Sequence, residues 1–415
     1  MSRAMKDSGI PWIGAIPKDW TIELIGNQVK EVNNPNTNGL EDNALQFKMG
    51  SIISKSRGDS KYNPETLEGY NIVDKGVIML NGLNLSFDLI SQRVGLVRER
   101  GVITSTYLAV KPSNNIDSEY LTYLFKAYDN CKAFHSMGRG LRQTLSYGEL
   151  RKYLLLYPSL AEQQRIAEFL DRKCAEVDEM IALQEQIIEE LKAYKQSVIT
   201  EAVTKGLNPA APMRDSGIEW IGYTPCHWER IYLKWKYSFE KGNNAALYTQ
   251  EYIGGHKGEY PVYSGQTENN GIMGLIDSYE YDVKECLFTT TVGAKVMTPK
   301  ILQGKFSLSQ NCLIMHKLNE SICNGFVFYL LHALFAYEKT LIPSYMQPSL
   351  RVEDLKTYIF YVPPITEQQA IADYLDEKCA DIASLIQTKQ SKIDSLKEYK
   401  KSIIYEYVTG KREVE

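Results

Sequence analysis

Several loops in this chain set Arg, Lys, Asn and Gln among glycines and other small residues. In the first half these are Lys55, Arg57 and Lys61 after the run 51–54. Asn81 and Asn84 flank Gly82, with Arg93 downstream, and Arg139, Arg142 and Gln143 follow Gly138. In the second half they are Tyr263, Gln266, Asn269 and Asn270 in YSGQTENN, Thr290 and Lys295 in TTTVGAK, and Tyr345, Gln347 and Arg351 in SYMQPSLR. Such side chains present the donor and acceptor pairs that tell one base edge from another in a major groove. Small neighbours let the backbone come close to phosphate. Each loop alone also reads as an ordinary turn.

Bond-making chemistry finds little support. GK occurs only at Gly304 and Gly410, without the glycine five residues earlier that a phosphate loop needs, and Gly138-Arg139-Gly140 continues into LRQ, so there is no GxGxxG. Val362-Pro363-Pro364-Ile365 lacks the polar and aromatic members of an amino-methyltransferase motif, and neither HExxH nor GxSxG occurs. The histidines His135, His227, His256, His316 and His332 are scattered, and the seven cysteines never form CxxC. The expectation is no catalytic set, no metal site and a reducing cytoplasm. No run of 18 apolar residues predicts a membrane span, and the first residues lack the apolar core of a signal peptide.

Net charge is −4, and it is unevenly spread. The segments 162–206 and 367–411 carry 13 basic and 18 acidic residues, residues 21–157 carry 16 and 14, and residues 229–362 carry 13 of each. The acidity lies in the two repeated segments, and the halves bearing the loops are mildly basic to neutral, which permits DNA contact without requiring it.

Those loops must be held by something, and the chain repeats its frame. EQQRIAEFLDRKCAEVDEMIALQEQIIEELKAYKQSVITEAVTKG from Glu162 returns from Glu367 at an offset of 205, without a gap and with 21 of 45 positions identical. No proline interrupts either copy, so each predicts one long helix. The apolar spacing of four and three predicts a coiled-coil seam. It runs through Leu170, Cys174, Val177, Ile181, Ile188, Leu191 and Val198, and again through Leu375, Cys379, Ile382, Ile386, Ile393, Leu396 and Ile403, interrupted at Gln184 and Lys195 and at Lys389 and Lys400. The economical expectation is that the helices pack on each other; the alternative is that each packs only on its own domain.

A second repeat, MKDSGIPWIGAIPKDW at Met5–Trp20 and MRDSGIEWIGYTPCHW at Met213–Trp228, matches at 10 of 16 positions. It reads as a turn followed by an irregular aromatic plug anchored at a helix end. Strand-type runs are expected at 77–80, 94–97, 107–110, 153–157, 260–263, 286–291, 312–315 and 358–362, and helices at 118–134 and 325–337. The proline-rich stretch 208–217 reads as a linker.

Two unlike inserts, each followed by a helix that opens EQQ and closes LKxYKxS, resemble the specificity subunit of type I restriction–modification systems. PSLAEQQ from Pro158, PPITEQQ from Pro363 and the twin DSGIxWIG segments carry the resemblance. It implies a mixed α/β (α+β) fold, with two target-recognition domains separated by two long antiparallel coiled-coil helices. The boundaries expected are 1–157 for the first domain, 158–206 for the first helix, 207–362 for the linker and second domain, and 363–415 for the second helix. The implied function is non-catalytic recognition of a bipartite double-stranded DNA site, one domain per half-site. The implied partners are two modification subunits, which methylate adenine, and two restriction subunits, which translocate and cut. S-adenosylmethionine, ATP and magnesium are expected on those partners and no cofactor on this chain. A coiled-coil adaptor without a DNA role, and an S-like subunit of a fused or two-subunit restriction enzyme, are the alternatives.

Overall fold

The computed structural model describes residues 3–39, 41–55, 67–85, 92–138, 143–265, 269–293, 296–343 and 345–414. Two compact units emerge: Met1–Glu185 with Ser391–Glu415, and Gln186–Gln390. The repeated segments are two uninterrupted helices, Leu160–Lys205 and Ile365–Val408, each contributing one part to each unit. Among the described residues no helix is long and apolar enough to cross a membrane.

In the first unit the N-terminal repeat is a hairpin, Met5–Asp7 paired with Ala15–Pro17. Its turn is fixed locally: the Gly9 N–H donates to Asp7 Oδ1 at 3.0 Å and the Ile10 N–H to Ser8 Oγ at 3.1 Å. An ordered hairpin replaces the irregular plug expected, because these short strands pair through backbone and carry no hydrophobic alternation to betray them. Thr21–Leu24 then pairs antiparallel with Leu154–Tyr157, joining the two ends of the insert. Within the insert an antiparallel sheet runs in the order Val29–Glu31, Leu108–Pro112, Ile78–Leu80, Val94–Leu96. Helix Ser118–Asn130, capped by Asp117 accepting from the Tyr120 N–H, buries Tyr120, Leu121, Leu124, Phe125 and Tyr128 in the same core. It ends earlier than expected, since Lys132 takes φ 58° and a separate short helix, Ala133–Met137, follows.

The second unit repeats this frame. Met213–Asp215 pairs with Tyr223–Pro225, and Glu229–Tyr232 with Ile359–Val362. The insert differs: six strands in the order Tyr237–Lys241, Cys312–Lys317, Tyr281–Thr290, Pro299–Leu308, Lys257–Tyr263, Ile272–Ile276. All neighbours are antiparallel except Lys257–Tyr263 against Pro299–Leu308. Pro299–Leu308 was not expected, because Gly304 (φ +75°) and three polar neighbours hide the strand pattern. Helix Asn324–Leu341 packs on this sheet.

The helix segments run antiparallel inside the first unit. Phe169 meets Tyr407 with ring centroids 4.3 Å apart, and Lys400 Nζ reaches both Asp178 carboxylate oxygens at 2.6 Å. In the second unit Ile199, Ala202 and Val203 share a core with Ile371, Leu375 and Cys379. Seam residues Leu170, Val177, Ile188, Leu375, Ile382, Ile393 and Ile403 are buried, and Ile181, Leu191, Val198, Ile386 and Leu396 half-buried, so none of these is fully exposed.

The EQQ motif has a physical purpose. Its first glutamine, Gln163, is fully buried; its Oε1 accepts from the Asp117 N–H at 2.9 Å and its Nε2 donates to the Pro158 carbonyl at 2.9 Å. Gln368 repeats both bonds, from the Cys323 N–H at 2.9 Å and to Pro363 at 2.8 Å. The glutamine amide accepts through its oxygen and donates through its nitrogen, and so serves both backbone groups at once. Each long helix is thereby locked to the start of the insert helix, and Tyr123–Asp171 (2.7 Å) and Tyr329–Asp376 (2.6 Å) add a second tie two turns along. The helix ends are received by the hairpins. Gly206 (φ +75°) lies against Trp228, and Gly410 (φ +67°) against Pro17 and Trp20, where a Cβ would collide.

Candidate nucleic-acid interface

In the first unit two of the expected loops meet. The Leu145 N–H donates to the Gly82 carbonyl at 2.9 Å, and the Leu85 N–H to the Gln143 carbonyl at 3.2 Å. Gly82 is required here, since a Cβ would stand 2.6 Å from the Leu145 carbonyl oxygen. Asn81 and Gln143 are half-buried and Asn84 exposed, so all three reach the surface of one patch; Asn84 (φ 50°) and Gln143 (φ 44°) adopt left-handed backbone.

Arg93 belongs to this patch but does not face outward. It is 1% exposed, its Nη1 donates to the carbonyls of Asn81 (2.9 Å) and Leu83 (2.8 Å), and its N–H donates to Asp129 Oδ2 at 2.8 Å. The residue expected to touch DNA is instead an internal clamp that shapes the loop beside it. Burial pushes the Asp129 carboxyl upward, and the bond from the Arg93 N–H partly offsets this. Lys55 lies apart, at the base of hairpin Leu45–Lys48/Ser51–Ser54, its N–H bonded to Ala44. Arg57, Lys61, Arg139 and Arg142 lie outside the described residues.

The second unit gathers three expected loops at the corresponding place. Leu350, which is Leu145 shifted by 205, donates its N–H to the Thr291 carbonyl at 2.8 Å, and Val292 bridges Ser349. A Cβ on Gly265 would lie 3.4 Å from the Val292 carbonyl, which brings the third loop alongside. Tyr345 (86% exposed), Gln347 and Arg351 present their side chains to solvent, as does Asn269. Three expectations change. Thr290 is 4% exposed, and its Oγ1 accepts from the Thr298 N–H, so it is a strand residue of the core. The Tyr263 ring packs between Phe288 and Phe306, each 5.8 Å away. Asn270 is exposed, yet its Oδ1 accepts from Lys300 Nζ at 3.0 Å, so the pair presents one combined surface. Gln266 and Lys295 lie outside the described residues.

Two elements escaped the sequence: Lys300, inside an unexpected strand, and the hairpin tip Met49-Gly50, which folding brings against Gln92. Among the described residues no group of three His, Cys, Asp or Glu side chains could hold a metal ion. Most of the exposed side chains described at these patches are polar, and what they can do chemically is hydrogen-bond to a partner.

The chain matches the family model described as the type I restriction modification DNA specificity domain over residues 97–193 and 239–410. A putative type I restriction enzyme MjaX specificity subunit of Methanocaldococcus jannaschii is 24% identical over 426 residues, covering 96% of this chain and 95% of that protein. The MjaVIII specificity subunit of the same organism is 23% identical over 421 residues, covering 95% and 93%. The MpnII specificity subunit of Mycoplasma pneumoniae is 31% identical over 142 residues, 32% of this chain and 40% of that one. A solved structure described as the basis of complex assembly and conformational transition of the type I R-M system superposes with a TM-score of 0.69 at 14% identity, covering 96% of this chain and 99% of its own.

Proposed function

Since the chain belongs to the type I restriction modification DNA specificity family, we propose that it reads a bipartite DNA site, the first unit one half and the second unit the other. One observation carries this most directly. The same frame, from hairpin and closing strands to glutamine lock, surrounds two different sheets, and in both the loop at Leu145 or Leu350 is sewn to the end of a sheet strand. A structural adaptor has no use for two unlike inserts at matched positions; a reader of two unlike half-sites needs them.

On this proposal the chain supplies no bond-making step. It orients Asn81, Asn84 and Gln143 in one unit, and Asn269, Gln347 and Arg351 in the other, toward base edges and phosphates. Modification subunits dock on it and bring S-adenosylmethionine for adenine methylation, and restriction subunits bring ATP and magnesium. Long-read methylome sequencing of cells carrying the chain with its modification subunit tests this. The expected result is a methyl-adenine motif in two parts with a non-specific gap. An unchanged methylome, or a continuous motif, contradicts it.

A further inference from the structure

We propose that Met49 is an apolar base contact for the first half-site, seated against a thymine C5-methyl group in the major groove. The proposal rests on the DNA-reading role above and adds to it a residue that the polar loops do not include.

Lys48 and Ser51 are paired, so Met49 and Gly50 form a two-residue hairpin turn with φ 46° and 77°. Turns with both central residues in left-handed backbone select Asn, Asp or Gly at the first position, where a Met Cβ is crowded. The Met49 side chain is also 80% exposed, and among the described residues only Tyr345 is a more exposed large hydrophobic. One residue thus carries both a left-handed backbone and an apolar side chain left largely open to solvent. Asn or Gly would remove both costs. Backbone held in a sparsely populated region clusters where a protein contacts its ligands.

The surroundings identify that partner. Gly50 closes on Gln92, where an added Cβ would stand 2.5 Å from Oε1. Gln92 precedes Arg93, whose guanidinium holds the carbonyls of Asn81 and Leu83. The tip therefore belongs to the same patch as Asn81 and Gln143. Exposed Lys48 beside it makes no ion pair among the described residues, which suits a phosphate neighbour and not an apolar protein surface. In a major groove the apolar group on a base edge is the thymine methyl.

The test uses the full chain assembled with its modification subunits and a duplex carrying the methylation motif of that complex. Met49→Gly is expected to keep or raise the thermal midpoint, because glycine relieves the turn. It should weaken specific binding roughly 4- to 15-fold, about what one or two buried methyl groups contribute, and leave binding to a scrambled duplex unchanged. Met49→Leu should restore most of the affinity. Replacing one thymine of the first half-site by uracil should weaken the wild type and leave Met49→Gly unaffected. Unaltered specific binding by Met49→Gly, equal loss on both duplexes, or no uracil-sensitive thymine would each overturn the proposal while the wild type still discriminates. A wild-type complex that cannot tell the duplexes apart overturns the DNA-reading role, and the proposal with it.

Discussion

The Gln163 side chain accepts the backbone N–H of Asp117 at 2.9 Å, tying the first turn of a 46-residue helix to the N-cap of the insert helix. Replacing Gln163 by Leu would leave the Asp117 N–H and the Pro158 carbonyl buried without these partners. Each such group costs about 1–3 kcal/mol, so urea unfolding should lose roughly 2–6 kcal/mol. Gln163→Glu should lose a comparable amount, because a carboxylate cannot donate to Pro158. A variant as stable as the wild type would show that the motif serves something other than this lock.

Arg93→Met removes the clamp on the loop at 81–83 while keeping an apolar stem of similar length. Methylation should weaken through the first half-site, and substitutions in that half of the site should be better tolerated. Sequence preference in the second half should not move. Equal loosening of both halves would mean that Arg93 supports stability alone.

His332 supplies a pH prediction. Burial, with Lys195 and then Lys339 contributing, lowers its pKa to about 4 from 6.5. Between those values the unfolded chain takes up a proton that the folded one refuses. The stability attached to neutral His332 is therefore complete above about pH 6.5 and is lost as pH falls toward 4. His332→Gln should flatten the decline in unfolding midpoint over that interval. A decline as steep as that of the wild type would place the acid sensitivity on other groups.

The thiols should divide by burial. Cys286 and Cys312 are buried, and desolvation raises both to about 12. Cys174 and Cys379 sit buried in the helix seam and are also raised. Thiol titration of native protein should label exposed Cys226 first and reach these four only after denaturant is added. Rapid native labelling of Cys286 or Cys312 would contradict the sheet core.

What the sequence revealed was whatever repeats or alternates. Leu170, Val177, Leu375 and Ile382 announced a seam because a helix face recurs at fixed spacing, and all four are buried. The meeting of Gly82 with Leu145 was not legible, because they are 63 residues apart and the bond is made by backbone. Arg93 misled for a related reason: a guanidinium reads as surface chemistry until folding shows two carbonyls in its reach. Thr290 resembled a loop residue because its strand ends in Thr289 and Thr290 and a third threonine follows, a run that satisfies a β-sheet as readily as a turn. Met49 carried no signal at all, since its oddity is a backbone angle.

Exchange of one insert asks whether each unit reads its own half-site. Residues 229–362 would be replaced by the matching insert of a relative with a different methylation motif, and the methylome of cells expressing the hybrid with its partners sequenced. One half of the bipartite motif should change to that of the donor while the other half stays as it was. A hybrid that methylates with both halves altered, or with neither altered, would contradict it.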